Sequence, residues 1–255
     1  TQLQSSAASD VYKRQIRSFA NEIIDIGNVD LDIQIERTNR KRTIALQVKN
    51  SKLIIKTPRS VSKKTLVELI KRKQHWINQR AILNFEEQNL KNREFIDNDK
   101  FYFRGDEYRL SLILGRKEAV KIEGGLLLVS YVDDKSTGRE NIKRLLEDWY
   151  LKESIKILKA RTEELAQQMR VQPYGITVKN YKSKWGSCTA NNKISYNWRI
   201  IMAPDHIIDY LIVHELSHII EPNHSKNFWY QVGNYCKDFQ KKRKWLRENG
   251  HKLVL

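Results

Sequence analysis

Only two cysteines, Cys188 and Cys236, occur in the 255 residues. Two thiols cannot build a disulfide framework, and they fall short of the thiolate-rich ligand sets of structural zinc sites. No apolar run approaches the roughly 20 residues that cross a bilayer, so membrane insertion is not expected. An apolar signal segment is also lacking, and together with the scarce cysteine this makes a reducing cytoplasm the expected compartment. Methionine is equally rare: Met169 and Met202 are the only two. Acidic side chains are outnumbered, 30 Asp and Glu against 47 Lys and Arg, which leaves a formal charge of +17. Such an excess favours anionic partners, nucleic acid first and then an acidic membrane surface or phosphorylated substrate. Basic residues spread over solvated faces would give the same balance.

What is present reads as a soluble globular chain, 40% hydrophobic and 30% charged, long enough for one large or two small cores. Residues 1–15 are polar and without periodicity. The run Asp10-Val11-Tyr12-Lys13-Arg14-Gln15 looks like the translated end of a sequencing adapter, so this leader is set aside as an artefact or a disordered tail. Period-two alternation at Leu31, Ile33 and Ile35, then at Ile44, Leu46 and Val48, predicts half-buried strands. A further strand is expected over 53–56, after Asn50-Ser51. A helical pattern over 62–88 carries Leu66, Leu69, Ile70, Ile77 and Ile82 on one side and a basic face on the other. Short strands return over 100–103, 107–114, 119–122 and 126–131. The polar stretch 133–138 is the expected boundary, which makes 16–135 a β-rich module with a long helix and 136–255 a second domain. In that second domain a helix over 139–169 should pack behind the apolar helix that carries His214, and strands are expected at 176–180 and 193–200.

Three of the six histidines fall between His214 and His224. In His214-Glu215-Leu216-Ser217-His218 the histidines are four apart, so on a helix both rings face one ion. Pro222 ends that helix, and Asn223 suits a turn that swings His224 back toward the pair. Three imidazoles with an open fourth position are the ligand set of a catalytic zinc, although the same nitrogens accept manganese, cobalt or nickel. Glu215 is rotated by about 100° from its ligand neighbour, where it would flank the open position and take a proton from metal-bound water. The helix is otherwise apolar, with Ile207, Ile208, Leu211, Ile212, Leu216, Ile219 and Ile220, and Asp205 is the expected N-cap after Pro204. The competing reading is a buried helix whose polar residues are merely hydrogen-bonded, which would leave two histidines and a glutamate buried at a cost. The spacing to His224 matches the long metzincin pattern, but Glu221 stands where a glycine usually does. Both methionines lie upstream, so no Met-turn can follow and this is not an ordinary metzincin.

Together with Lys184-Trp185-Gly186-Ser187-Cys188-Thr189, Tyr196-Asn197-Trp198-Arg199 and Ser225-Lys226-Asn227-Phe228-Trp229, this stretch resembles the YgjP-like metallopeptidase family, from about Leu31 to Lys252. The resemblance implies an α+β fold with a zincin-like catalytic domain related to the SprT-like zinc proteases. It also implies one zinc ion on His214, His218 and His224, with Glu215 as catalytic acid and base. Trp185 and Ser187 are then expected to border the site as substrate-binding residues. Asn197 and Arg199 would polarise a carbonyl or hold an anionic group, or else fix loops. The strand over 193–200 is expected either to form the cleft edge, where an extended substrate pairs, or to be an ordinary internal strand. Cys188 reads as packed or redox-sensitive in preference to nucleophilic. The aromatic stripe Phe228, Trp229, Val232, Tyr235 and Phe239 should clamp the loop bearing His224.

The expected function is therefore zinc-dependent hydrolysis, foremost of amide bonds in a peptide or protein. One rival is hydrolysis of a phosphate-containing small molecule such as a nucleotide. The other is a nucleic-acid-associated protease or binding protein.

Overall fold

The computed structural model describes residues 31–49, 52–132 and 138–255. The expected leader, the turn at Asn50-Ser51 and nearly all of the expected boundary stretch lie outside the described residues. The chain divides into two units, Thr1–Asn92 and Arg93–Leu255.

In the first unit, strands β1 (Asp32–Thr38), β2 (Ala45–Lys49) and β3 (Lys52–Pro58) form one sheet in the order β1-β3-β2, with β3 parallel to β1 and antiparallel to β2. Alternation puts Ile33, Leu53 and Ile55 on the face that meets Leu66, Ile70, Ile77 and Ala81 of helix α1 (Lys63–Lys91). Those four recur at helical spacing and make one stripe. Ser62 opens the helix by accepting the Thr65 N–H at 3.1 Å. Ile82, expected in the core, is turned one position past the stripe and is exposed.

The second unit begins with β4 (Lys100–Phe103), β5 (Asp106–Leu114), β6 (Ala119–Glu123) and β7 (Leu126–Tyr131), in the order β4-β5-β7-β6. Phe101, Leu110, Leu127 and Val129 on this sheet share one core with Ile142, Leu146 and Tyr150 of helix α2 (Arg139–Met169). The Tyr150 hydroxyl donates to the Tyr102 carbonyl at 2.7 Å. The two units divide at Asn92/Arg93, and the boundary stretch expected over 133–138 falls within the second of them. The apolar face of this sheet is covered by α2 and by the segment leading out of the third sheet, so the four strands fold with the C-terminal part of the chain.

The third sheet joins β8 (Gly175–Lys179), β9 (Gly186–Cys188) and β10 (Lys193–Asn197) in the order β8-β10-β9. Each sheet contains three consecutive strands of which the last lies between the first, parallel, and the second, antiparallel: β1-β3-β2, β5-β7-β6 and β8-β10-β9. The sequence shows only a loose echo of this repeat, because pairing order leaves no periodic signature. β10 ends at Asn197, and Trp198–Met202 continues as a 3-10 turn. With a partner on each side and Ile194 to Asn197 buried, β10 is an internal strand, the second of its two expected places, and not the cleft edge. The two edges are β8 and β9, and β9 is formed by residues between the two expected strands.

Helix α3 (Asp205–Ile220) is fixed from three directions. Pro204 precedes its first turn, and Asp205 does not cap it. Its carboxylate instead receives Arg104 at 2.8 and 2.6 Å, still a favourable place for negative charge at a helix start. Gly105, at φ 91°, approaches so closely that a Cβ there would lie 2.8 Å from the Pro204 Cα. Farther along, Arg161 of α2 grips Asp209 through two bonds of 2.7 and 2.9 Å. Among the described residues no helix is long and apolar enough to cross a membrane.

Candidate metal centre

One side of α3 faces the core through Ile208, Leu211, Ile212 and Leu216, and the period of the helix turns His214 and His218 away from it. The helix stops where the Glu221 N–H closes back on Ser217 at 2.9 Å, ahead of Pro222. Ser225 then starts helix α4 (Lys226–Tyr235) by accepting the Phe228 N–H at 3.2 Å. His224 is held in the short turn between these two helix ends.

The ligand atoms of His214, His218 and His224 all lie within 4.8 Å of one another. Nε2 of His224 and Nε2 of His214 are 3.1 Å apart. A tetrahedral ion with bonds of about 2.0–2.1 Å separates neighbouring ligand nitrogens by about 3.3 Å, so the observed pair already has the spacing of two ligands of one ion. Nδ1 of His218 lies 3.3 Å from the Glu221 carbonyl; donating there leaves the Nε2 lone pair for the shared centre. Burial, with the other two imidazoles next, pushes the His214 pKa down to about 3; burial also lowers that of His218. Burial thus favours the neutral form of His214 and His218, which is the form that binds metal. The donor set therefore fits a metal ion.

Phe228 is fully buried, and its ring centroid lies 4.9, 4.5 and 4.7 Å from those of His214, His218 and His224. Trp229 stacks on His224 at 5.7 Å and on Phe239, the first residue of helix α5 (Phe239–Asn249), at 5.2 Å. Arg243 covers the Trp229 ring at 4.8 Å. The expected aromatic clamp is present in Phe228, Trp229 and Phe239, whereas Tyr235 is exposed.

Glu215 is 4% exposed. Burial pushes its pKa up to about 8, opposed by the nearby Lys184 ammonium and by a hydrogen bond accepted from the Cys188 backbone. A cation on the three imidazoles would oppose that rise further. The carboxyl fits only because residue 186 is glycine: a Cβ there would sit 2.8 Å from both Cγ and Cδ of Glu215. A glycine permits such close approach, but nothing in the sequence names the group that approaches.

His214, Glu215, His218 and His224 line a cavity of ≈ 570 Å³, together with Gly186, Ser187 and Cys188 of β9 and the turn after that strand. Of the four expected substrate-binding residues only Ser187 reaches this cavity; its Oγ also lies 3.2 Å from the Tyr181 hydroxyl. The Trp185 indole turns to Gly250, where an added Cβ would lie 3.0 Å from Cζ2. Asn197 is buried and donates to the carbonyls of Tyr181 and Lys184 at 3.0 and 3.3 Å, so it ties down the 181–185 loop. Arg199 bonds Asn180 and lies over the Trp198 ring at 4.5 Å. Cys188 borders the cavity, yet burial and the Glu215 charge raise its pKa and keep it a thiol, which disfavours a nucleophilic role.

A histidine pair four apart on a helix, with a third imidazole returned by the next turn and a buried glutamate beside them, defines the class of the metallopeptidases. Within that class, the YgjP-like metallopeptidase domain matches residues 42–249, and the chain belongs to this family. No curated protein matches the chain. Two solved structures are similar to part of it. One is the metallopeptidase zymogen of Pyrococcus abyssi abylysin, 16% identical over 35% of this chain and 93% of that one, with a TM-score of 0.31. The other is the metallopeptidase zymogen of Methanocaldococcus jannaschii jannalysin, 22% identical over 34% of this chain and 93% of that one, with a TM-score of 0.30.

Proposed function

We propose that the chain is a zincin-like peptidase that hydrolyses amide bonds, holding one Zn2+ on His214, His218 and His224 and using Glu215 as catalytic acid and base. The observation that carries this reading is the convergence of three ligand atoms within 4.8 Å beside a buried carboxyl in one cavity. When bound, zinc supplies Lewis acidity toward a carbonyl oxygen and a water. Glu215 takes a proton from the attacking water and delivers it to the leaving nitrogen, a role suited to a carboxyl whose burial raises its proton affinity while a neighbouring cation would lower it. An extended peptide lies along the free edge of β9, with its scissile carbonyl beside Glu215. Cys188 and Cys236 are both free, which fits a reducing compartment such as the cytoplasm.

Among the described residues, none that lines the cavity is a lysine or arginine. Apart from the metal itself, the several phosphates of a nucleotide would find no cationic side chain in that wall, which favours a peptide over a nucleotide. The test is metal analysis of the purified protein followed by a screen of proteome-derived peptides and nucleotides. Zinc should be present, and Glu215→Gln should retain it while lowering peptide turnover by about a thousand-fold. Undiminished turnover in that variant would remove Glu215 from the mechanism.

A further inference from the structure

We infer that one end of the first unit grips the phosphate backbone of duplex nucleic acid through Arg40, Lys41, Arg42, Arg59, Lys63 and Lys64. The inference goes beyond the peptidase reading and does not depend on it. Between Glu36 and Glu68 the chain has ten Lys and Arg and no Asp or Glu. On α2, by contrast, cations are interleaved with carboxylates that neutralise them: Arg144 meets Asp148, and Arg161 meets Glu164. The segment over 37–67 has no such supply of its own.

Sheet topology gathers six of the ten at one place. β1 and β3 are parallel and end together, with Thr38 opposite Pro58, and β2 starts beside Lys56 of β3. Because β3 lies between β1 and β2, the connection 39–44 must pass the end of β3 to reach β2. It carries Arg40, Lys41 and Arg42. The chain leaves β3 at that same end through Arg59 and enters α1 at Lys63 and Lys64. Arg37 fastens the second of these turns to β1 by donating to the carbonyls of Pro58 at 3.0 Å and Val61 at 2.6 Å. The six residues are exposed. Arg40, Lys41, Arg42, Arg59 and Lys64 form no ion pair with a described residue, whereas Lys56 in the same sheet meets Glu36 at 3.1 Å. Like charges held at one end of a small unit repel one another, and an anionic partner relieves that repulsion.

What this end lacks selects among anionic partners. From Leu31 to His75 the chain has no Phe, Tyr or Trp, so it offers no ring on which the bases of a single strand could stack. Among the described residues of that span no large apolar side chain is exposed, so none is placed to enter a bilayer beside the charges. Contact with phosphates remains, and a duplex presents them in regular rows whatever its sequence.

The test is fluorescence anisotropy of the full chain with a labelled DNA duplex of arbitrary sequence, repeated over a range of salt. The binding constant should fall with salt on a log–log slope of about −4 to −6, as five or six neutralised phosphates require. The triple variant Arg40→Gln, Lys41→Gln, Arg42→Gln should weaken binding at least about ten-fold at low salt and make the slope shallower by about 2–3. On the second turn, Arg59→Gln with Lys64→Gln should make it shallower by about 2. Lys152→Gln, Lys156→Gln and Lys159→Gln together, the same charge change on α2, should leave affinity within about two-fold and the slope unchanged. Thermal melts of each variant separate lost contacts from a lost fold. A flat salt response, wild-type affinity and slope in both variants of the first unit, or equal weakening by the α2 control overturns the inference. So does a single strand of the same length that binds more tightly than the duplex at equal salt. Displacement of the duplex by vesicles of about 30% phosphatidylserine, at a lower charge concentration than unlabelled duplex needs, would overturn it in favour of a membrane surface.

Discussion

Glu215 occupies space that any side chain on residue 186 would need: a Cβ built on Gly186 falls 2.8 Å from its Cδ. The neighbouring backbone of Cys188 donates to the same carboxyl, so β9 both makes room for the glutamate and orients it. Gly186→Ala must therefore push the carboxyl out of place or move the strand. The expected result is a fall in kcat of at least about ten-fold, since small misplacements of a reacting group are costly, with metal content unchanged. Kinetics alongside metal analysis would check it; full activity in Gly186→Ala would show that Glu215 need not sit where it does.

Phe228 touches all three imidazoles and is fully buried. Phe228→Ala should cost about 3–5 kcal/mol of stability, as large aromatic truncations in cores do. It should also loosen the triad, lowering zinc affinity by about 10–100-fold if its support is comparable to that of hydrogen-bonded outer partners. Phe228→Leu should recover most of the stability and part of the affinity. Chelator competition and thermal melts separate the two effects.

In the metal-free protein, His214 and Glu215 both prefer their neutral forms. His214 is held down at about 3, below the 6.5 of an unfolded chain, so the unfolded state binds the extra proton and stability falls as pH drops from 6.5 toward 3. Glu215 is held up at about 8, above 4.5, so the folded state keeps a proton that the unfolded state has released. Stability is then lost as pH rises from 4.5 to 8. Metal-free Glu215→Gln should consequently melt above wild type at pH 8, with the gap closing toward pH 4.5. Melting curves with chelator across that range would reveal a constant gap if the shift is absent.

The two arginines that fix α3 should differ in weight. Arg104 and Asp205 are both largely exposed, so Arg104→Ala should cost less than about 1 kcal/mol. Arg161 and Asp209 are more covered, at 34% and 30% exposure, and their two-bond geometry should make Arg161→Ala costlier, about 1–3 kcal/mol. Urea unfolding of the two variants would rank them.

The chain's own pattern made the histidine cluster legible. Histidines four apart on an apolar helix, a proline after them and a third histidine two residues on constrain geometry over ten residues, where local rules suffice. Helices α1 and α2 were readable for the same reason, being long and strongly periodic. Asn197 and Arg199 could not be assigned, because a polar residue beside a site looks the same whether it faces substrate or ties down a loop. Here Asn197 bonds the carbonyls of Tyr181 and Lys184, a choice visible only in space.

The shared face of His214 and His218, the helix carrying them and the glutamate next to them followed from local periodicity. Tertiary structure decided which strand lies at the edge, where the two units divide, and that Gly186 must be small because Glu215 reaches it. Pairing order and close approach join residues far apart in the chain, and no spacing within a single segment encodes them.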